Sequence, residues 1–542
     1  MMNRRDGNGF RGMLFGATVV YSLGAGLAPT SAKEGHGLMT PAPAGDITTV
    51  TWALPYAEPE TLDWIYAWDY GAQNTILANL CEGLLRVNPD GTSSFALATS
   101  VENPDKLTYI YKLREGVTFT DGKPMAAEDV AFSLNRNIKA EPGSYWGLWY
   151  ANVSEIKATG PLEVTVKLSK PDVLFHWMLS TPVGYVGEKA FIEKAGTDYG
   201  TAAGGVMCTG PYQIDSWNPG QDITLKRNDA YWDVALNPKA ATIRFVSIID
   251  PSSLAAALQT GEVDGAWAPA TTILSTLRTA GNGDLYMNSG TEVVVMQPAS
   301  LTGALADKRV REALRAVIDY KGIVQGILGG AGEVNTTLTP ASIWGNHRSS
   351  WEKAIGGASQ PLQDLEKAKR LIAEIGVPVS PIVIAVNADD VQIVSVLTVI
   401  QNAAASVGLP VDVRRLSAQE YLGLFEDPAA REGYDLFASM VTSDISDPLE
   451  LYSQIGPGAP YNFSGLDDPA FTKPLLAALA EQDPAKRADL TAQAEKGLID
   501  GAYYFPLYSP YSRVYLGERI TGVPVSTLSQ LYYPWAATLG QR

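Results

Sequence analysis

Histidine is nearly absent: the 542 residues hold three, His36, His176 and His347, far apart in the chain. A His-rich metal cage would have to be assembled from distant segments, so no metal and no cofactor are expected, and a His-based nucleophilic triad has little material. Positive charge is also short. Against 58 Asp and Glu stand 41 Lys and Arg, a net charge of −17, which argues against nucleic acid or an anionic membrane surface as the main partner. P-loop, H-E-x-x-H and G-x-S-x-G motifs are missing. Gly7, Gly9 and Gly12 do spell G-x-G-x-x-G, but no strand precedes them, so amides would have no strand-turn-helix frame in which to hold a pyrophosphate. Beyond residue 32 no apolar run reaches the roughly 18 residues that a membrane span requires.

What is present describes a folded chain of more than one lobe. Hydrophobic residues make up 46% and charged residues 18%, the balance of a globular protein with ample core. The first 32 residues read as an export signal: Arg4, Arg5 and Arg11 form a basic head, an apolar stretch runs from Met13 to Ala28, and Pro29, Thr30, Ser31 and Ala32 close it. An uncleaved anchor is the competing reading, disfavoured by the Gly, Ser, Thr and Pro of the second half. No cysteine precedes Cys81, so no lipid anchor is expected, and the mature chain is placed in a periplasmic or extracellular space. In such a compartment the two cysteines, Cys81 and Cys208, suggest one disulfide; two buried free thiols are the alternative.

Strand and helix periods alternate throughout, so the expected class is α/β. Residues 108–113 and 162–168 alternate with the period of a half-buried strand, and Ala127, Val130, Ala131, Leu134 and Ile138 recur at helical spacing between them. Residues 379–386, the stripe Ile393, Val396, Leu397, Ile400 and Ala404, and then Val411 and Val413 spell a βαβ unit with a parallel strand pair. Asp307 should cap a helix carrying Val310, Ala313, Leu314, Val317 and Ile318. These stripes are read as core.

Residues 59–136 are more specific. They contain Pro-Glu-Thr-Leu-Asp (59–63), Cys-Glu-Gly-Leu-Leu (81–85), Asn-Pro-Asp-Gly (88–91), Tyr-Lys-Leu-Arg-Glu-Gly-Val-Thr-Phe-Thr-Asp-Gly-Lys-Pro (111–124) and Ala-Glu-Asp-Val-Ala-Phe-Ser (127–133). Further markers are Cys-Thr-Gly-Pro-Tyr (208–212), Gly-Glu-Val-Asp-Gly-Ala (261–266), Arg-Val-Arg-Glu-Ala-Leu (309–314), Asn-Phe-Ser-Gly (462–465) and Phe-Pro-Leu-Tyr (505–508). In this order the text resembles the extracellular solute-binding proteins, family 5, of ABC importers, the class of dipeptide-, oligopeptide- and nickel-binding proteins. The resemblance implies a two-lobed, periplasmic-binding-protein-like fold (type II, cluster C) with an extra subdomain inserted in lobe I. Lobe I would comprise 46–85, 203–297 and 505–542, the inserted subdomain 86–202, and lobe II 298–504. It further implies no enzyme activity: a monomer that closes on a peptide or other small-molecule ligand and presents it to the permease subunits in the membrane.

In peptide-binding members an aspartate in a pattern like Trp-x-x-Asp-Tyr-x-Asp-Pro holds the ligand's amine, and the matching text is Val441-Thr-Ser-Asp444-Ile-Ser-Asp447-Pro448. Asp444 is thus either an amine anchor, replacing the ammonium's lost hydration, or a structural loop residue. Met440 and Ser443 flank it. Asp447, followed by Pro448 and Glu450, reads as a helix cap. Val441 and Ile445 replace the aromatics usual in peptide binders, so an oligosaccharide, an opine or another polar solute stays open, as does, more remotely, a hydrolase using paired carboxylates. Family analogy adds contacts at Trp68, Asp69, Tyr70, Trp267, Tyr461 and Asn462. If peptides are the ligand, strands should bind the extended main chain while roomy, hydrated pockets accept varied side chains, so affinity should depend little on sequence. Ala126 stands where the family has a capping Thr, which should weaken that helix start by about 1 kcal/mol.

Overall fold

The computed structural model of the chain describes residues 34–67, 71–140, 143–356 and 362–542. The export signal expected at residues 1–32 and the expected contacts Trp68, Asp69 and Tyr70 lie outside the described residues.

The molecule is organised around the strand Phe505–Gly517. Its first half pairs antiparallel with Glu292–Pro298, and its second half pairs antiparallel with Gly265–Trp267 and Gly283–Ser289. On the Glu292 side the sheet continues through Leu436–Thr442, Ile382–Asn387 and Val411–Leu416. On the other side it continues through Ile47–Leu54, Ala240–Ser247, Asp222–Arg227 and Tyr212–Asn218. Pro506 and Pro510 lie within the long strand where it passes between these halves; lacking an N–H, neither can donate to the ladder, and the register with Glu292–Pro298 shifts between Tyr508 and Pro506. Gly290 lies at the same crossing, where an added Cβ would come 2.5 Å from the Pro510 carbonyl oxygen, so only glycine admits this close approach. The result is two lobes joined by crossing strands.

Local periods are realised as read, except that Ile138, read as core, is 46% exposed near the end of its helix. Ile382–Asn387, the helix Val391–Ser406 and Val411–Leu416 form the βαβ unit, with Ile382 opposite Val411 in a parallel pair. Val396, Leu397, Ile400 and Ala404 are buried beneath that helix. Asp307 accepts the Arg309 N–H at 2.8 Å and starts the helix Lys308–Ala316. Ala126 contributes no side-chain cap, but Asp129 reaches back to accept the Ala126 N–H at 2.9 Å, satisfying one exposed donor from the other direction. That helix, Ala127–Lys139, accompanies a separate antiparallel sheet of Ala98–Asp105, Thr108–Leu113, Glu163–Leu168 and Val153–Gly160. A continuous buried cluster runs from Leu84 and Val164 through Leu449 to Leu531. Cys81 and Cys208 are joined as a disulfide.

Glu495, on the helix Pro484–Gly501, is buried, and burial pushes its carboxyl up to about 8 from an ordinary value of 4.5. Between those values the unfolded chain ionises this group while the folded chain keeps the proton, so its contribution to stability is present in acid and is lost as pH rises. Urea unfolding is expected to show this as a decline from pH 5 to pH 8 approaching about 1.4 kcal/mol per pH unit from this one group. The Glu495→Gln variant should flatten the decline. Identical pH slopes in the two proteins would refute the assignment.

Candidate ligand-binding cleft

The strand Leu436–Thr442 has two unlike edges. Along one edge it pairs with Glu292–Pro298 over its whole length, with Glu292 opposite Thr442 and Val295 opposite Ser439. Along the other, Ile382–Asn387 reaches only Leu436 and Phe437. Ser443 donates its N–H to the Thr291 carbonyl at 3.2 Å, which sets the alternation of the antiparallel ladder. Counting back in steps of two, Val441 and Ser439 point their backbone groups at Glu292–Pro298, and Thr442 and Met440 point theirs at the open edge. Met440, 52% exposed, sits on that edge.

Beyond Thr442 the chain turns into a buried acidic loop. Asp444 is only 4% exposed, and the Tyr532 hydroxyl donates to its Oδ1 at 2.6 Å. Tyr532 comes from the helix Thr527–Tyr532, 88 residues away in the chain. The Asp444 N–H donates to Glu450 Oε2 at 2.8 Å, and the Ile445 N–H reaches the same oxygen at 3.3 Å. Glu450 is fully buried; burial, reinforced by the Asp444 charge beside it, holds its carboxyl well above the usual range. A carboxyl so disposed to keep its proton can receive both N–H groups without placing a second full charge next to Asp444. Asp447 performs the capping role suggested by its neighbours, accepting the Leu449 N–H at 3.0 Å, and it pairs with Arg487 at 3.1 Å.

Asp444 and the open edge face a cavity of about 600 Å³. Among the described residues that line it, three carry charge: Asp444, Glu292 and Arg513. Glu292 is half-buried, and its removal from water pushes its carboxyl up against the pull of Arg513. Arg513 is held in place by donating to the Pro269 carbonyl at 3.1 Å and the Tyr511 carbonyl at 2.9 Å, and burial lowers it. Gln297 donates to Ser439 Oγ at 2.6 Å on the same wall. Ser512, Thr527 and Gln530 also line it, together with Ala268, whose φ of 48° is a left-handed value unusual for a residue with a Cβ. A cavity of this size, largely apolar with a few fixed polar groups, has the dimensions and chemistry of a small-molecule site.

The family of bacterial extracellular solute-binding proteins, family 5 (middle region), matches residues 94–463. The chain belongs to this family. Members bind solutes as transport components and are not enzymes, and this family-5 chain is a binding protein. It is 23% identical over 494 residues to a dipeptide-binding protein of Lactococcus lactis subsp. cremoris, a match covering 84% of this chain and 88% of the relative. The glutathione-binding protein GsiB of Escherichia coli K12 is 26% identical over 455 residues, covering 81% of this chain and 85% of GsiB. The crystal structure of the ABC transporter substrate-binding protein CtaP of Listeria monocytogenes superposes with a TM-score of 0.78 at 20% identity, covering 92% of this chain and 99% of CtaP. That likeness establishes the fold.

Of the site residues expected from this family-5 sequence, Met440, Asp444 and Tyr461 converge on the cavity. Three do not line it. Trp267 is 1% exposed and packs between Trp52 and Trp535, with ring centroids 5.9 and 5.8 Å away, so in this structure it supports the sheet while its neighbour Ala268 faces the cavity. Ser443 is buried behind Asp444, on the ladder side of the strand. Asn462 builds its own turn, donating to the Leu466 carbonyl at 2.8 Å and accepting the Leu466 N–H at 2.8 Å. Sequence reasoning missed Glu292, Arg513, Glu450 and Tyr532. The first two carry a readable signal, since each interrupts an apolar strand run, Thr-Glu-Val-Val-Val and Ser-Arg-Val-Tyr-Leu, with a charge. Glu450 was visible only as a helix-start carboxylate, and nothing near Tyr532 marks it.

Proposed function

We propose that this protein is the receptor of an ABC importer for short peptides, which it captures between its lobes and delivers to permease subunits as a monomer in the periplasmic or extracellular space. Lobe I would comprise 46–85, 203–297 and 505–542, and lobe II 298–504, with 86–202 as the inserted subdomain. The hinge would lie where Glu292–Pro298 and Phe505–Gly517 cross.

One observation carries the reading: a buried carboxylate, Asp444, stands at the end of an open strand edge inside the cavity. A peptide in extended form can add to that edge, its main chain meeting the backbone groups of Met440 and Thr442, while its terminal ammonium meets Asp444. Ligand contact with both lobes also supplies the differential affinity that closure requires. The two relatives named above as dipeptide- and glutathione-binding support a peptide-like ligand.

Calorimetry with a short free-amine peptide and its N-acetylated twin tests this. Acetylation removes the cation but leaves Asp444 buried, so affinity should fall by at least about 30-fold, the equivalent of roughly 2 kcal/mol. Equal affinities for the two peptides would rule out the amine anchor.

A further inference from the structure

Lobe II lines the cavity with Asp444 and with a wall of Tyr421, Leu422, Phe425, Met440, Tyr461 and Phe463. Tyr421, Leu422 and Phe425 come from the helix Ala418–Glu426, which Ser417 and Glu420 cap reciprocally. The Tyr421 hydroxyl ties that helix to the strand by donating to the Ala438 carbonyl at 2.7 Å. Behind the wall the rings support one another. Phe425 lies edge-on to Phe437 at 5.4 Å and to Phe463 at 5.9 Å, Phe437 is fully buried, and the Arg431 guanidinium covers Phe463 at 4.8 Å. Two large apolar side chains on the cavity face, Leu422 and Met440, are each 52% exposed. Such surface is costly to leave in water, and rings already fixed by their neighbours lose little freedom when a guest covers them.

Resting on the peptide reading above, we infer that the site selects peptides bearing a bulky apolar or aromatic side chain and discriminates against charged ones at the same place. This differs from the sequence-indifferent binding expected of roomy, hydrated pockets. Recognition is divided between Asp444, which reads the amine, and the apolar wall, which reads the side chain.

The test is calorimetry on the full mature protein with Ala-Ala-Ala, the three tripeptides that place one Phe among Ala, and the three that place one Glu. At one position Phe should tighten binding at least tenfold over Ala, and Glu at that position should weaken it. Phe425→Ala should abolish the Phe advantage. Leu422→Ser, at an exposed site that folding tolerates, should reduce the advantage severalfold. Should Ala-Ala-Ala bind as well as every Phe peptide, the selectivity is overturned and the peptide reading stands. If no tripeptide binds but 2-phenylethylamine does, the apolar wall stands and the peptide reading fails. Binding of neither overturns both.

Discussion

The Asp444→Ala variant should bind a free-amine peptide about 30-fold to several thousand-fold more weakly, yet bind the N-acetylated peptide within about threefold of the parent. The size follows from where the partner would be left. An ammonium that enters a closed cleft surrenders its water, and without a carboxylate it remains a buried, uncompensated charge, for which measured losses run from about 2 to 5 kcal/mol. The same reasoning makes the loss specific, because an acetylated terminus brings no cation. Folding should be affected little. Removing Asp444 deprives the Tyr532 hydroxyl of its acceptor at 2.6 Å, but it also relieves the charge beside Glu450 and so lets that carboxyl ionise at a less elevated pH. These opposing effects leave the thermal midpoint near the parent's. A variant that lost affinity for both peptides equally would show that Asp444 shapes the loop instead of holding an amine.

The parts legible in the sequence were those written in consecutive residues. The βαβ unit from Ile382 to Leu416 declares itself by period, and the Asp447 cap is spelled within four residues, so both appear where they were read. What could not be read depends on partners far away in the chain. The open edge at Met440 and Thr442 exists because Ile382–Asn387 stops pairing after Phe437, a fact about where two strands end relative to each other. Tyr532 meets Asp444 across a separation of 88 residues. Glu450 shares its spacing with an ordinary helix-start carboxylate, and only the buried loop folded over it turns it into the acceptor for Asp444 and Ile445. Trp267 misled for a local reason: it ends the strand Gly265–Trp267 with its ring packed between Trp52 and Trp535, and the chain then turns at Ala268, whose left-handed φ of 48° accompanies the change of face that puts Ala268 at the cavity.

A Cys81→Ala, Cys208→Ala double variant should lose about 4 to 5 kcal/mol of unfolding free energy in the chain-entropy account, and at least about 2 kcal/mol after allowance for structure retained in the unfolded chain. The bridged residues are 127 apart, and the span between them contains the entire separate sheet from Ala98 to Leu168. Cutting the bridge therefore releases a large loop in the unfolded state. Native geometry should persist, because backbone bonds tie the same two segments together: Gly210 N–H to the Leu80 carbonyl at 3.0 Å and Tyr212 N–H to the Asn79 carbonyl at 3.1 Å. Thr209 adds a hydroxyl bond to Glu82 at 2.8 Å. Alanine is the appropriate replacement, since both sulfurs are buried and a serine hydroxyl would need a partner there. Neither cysteine lines the cavity, so ligand affinity in the folded variant should match the parent's. Urea unfolding measured with and without saturating ligand separates the two effects: the ligand-dependent increment is unchanged, while the unliganded baseline drops. A drop below about 1 kcal/mol would mean that the unfolded chain is already constrained around this loop by other contacts.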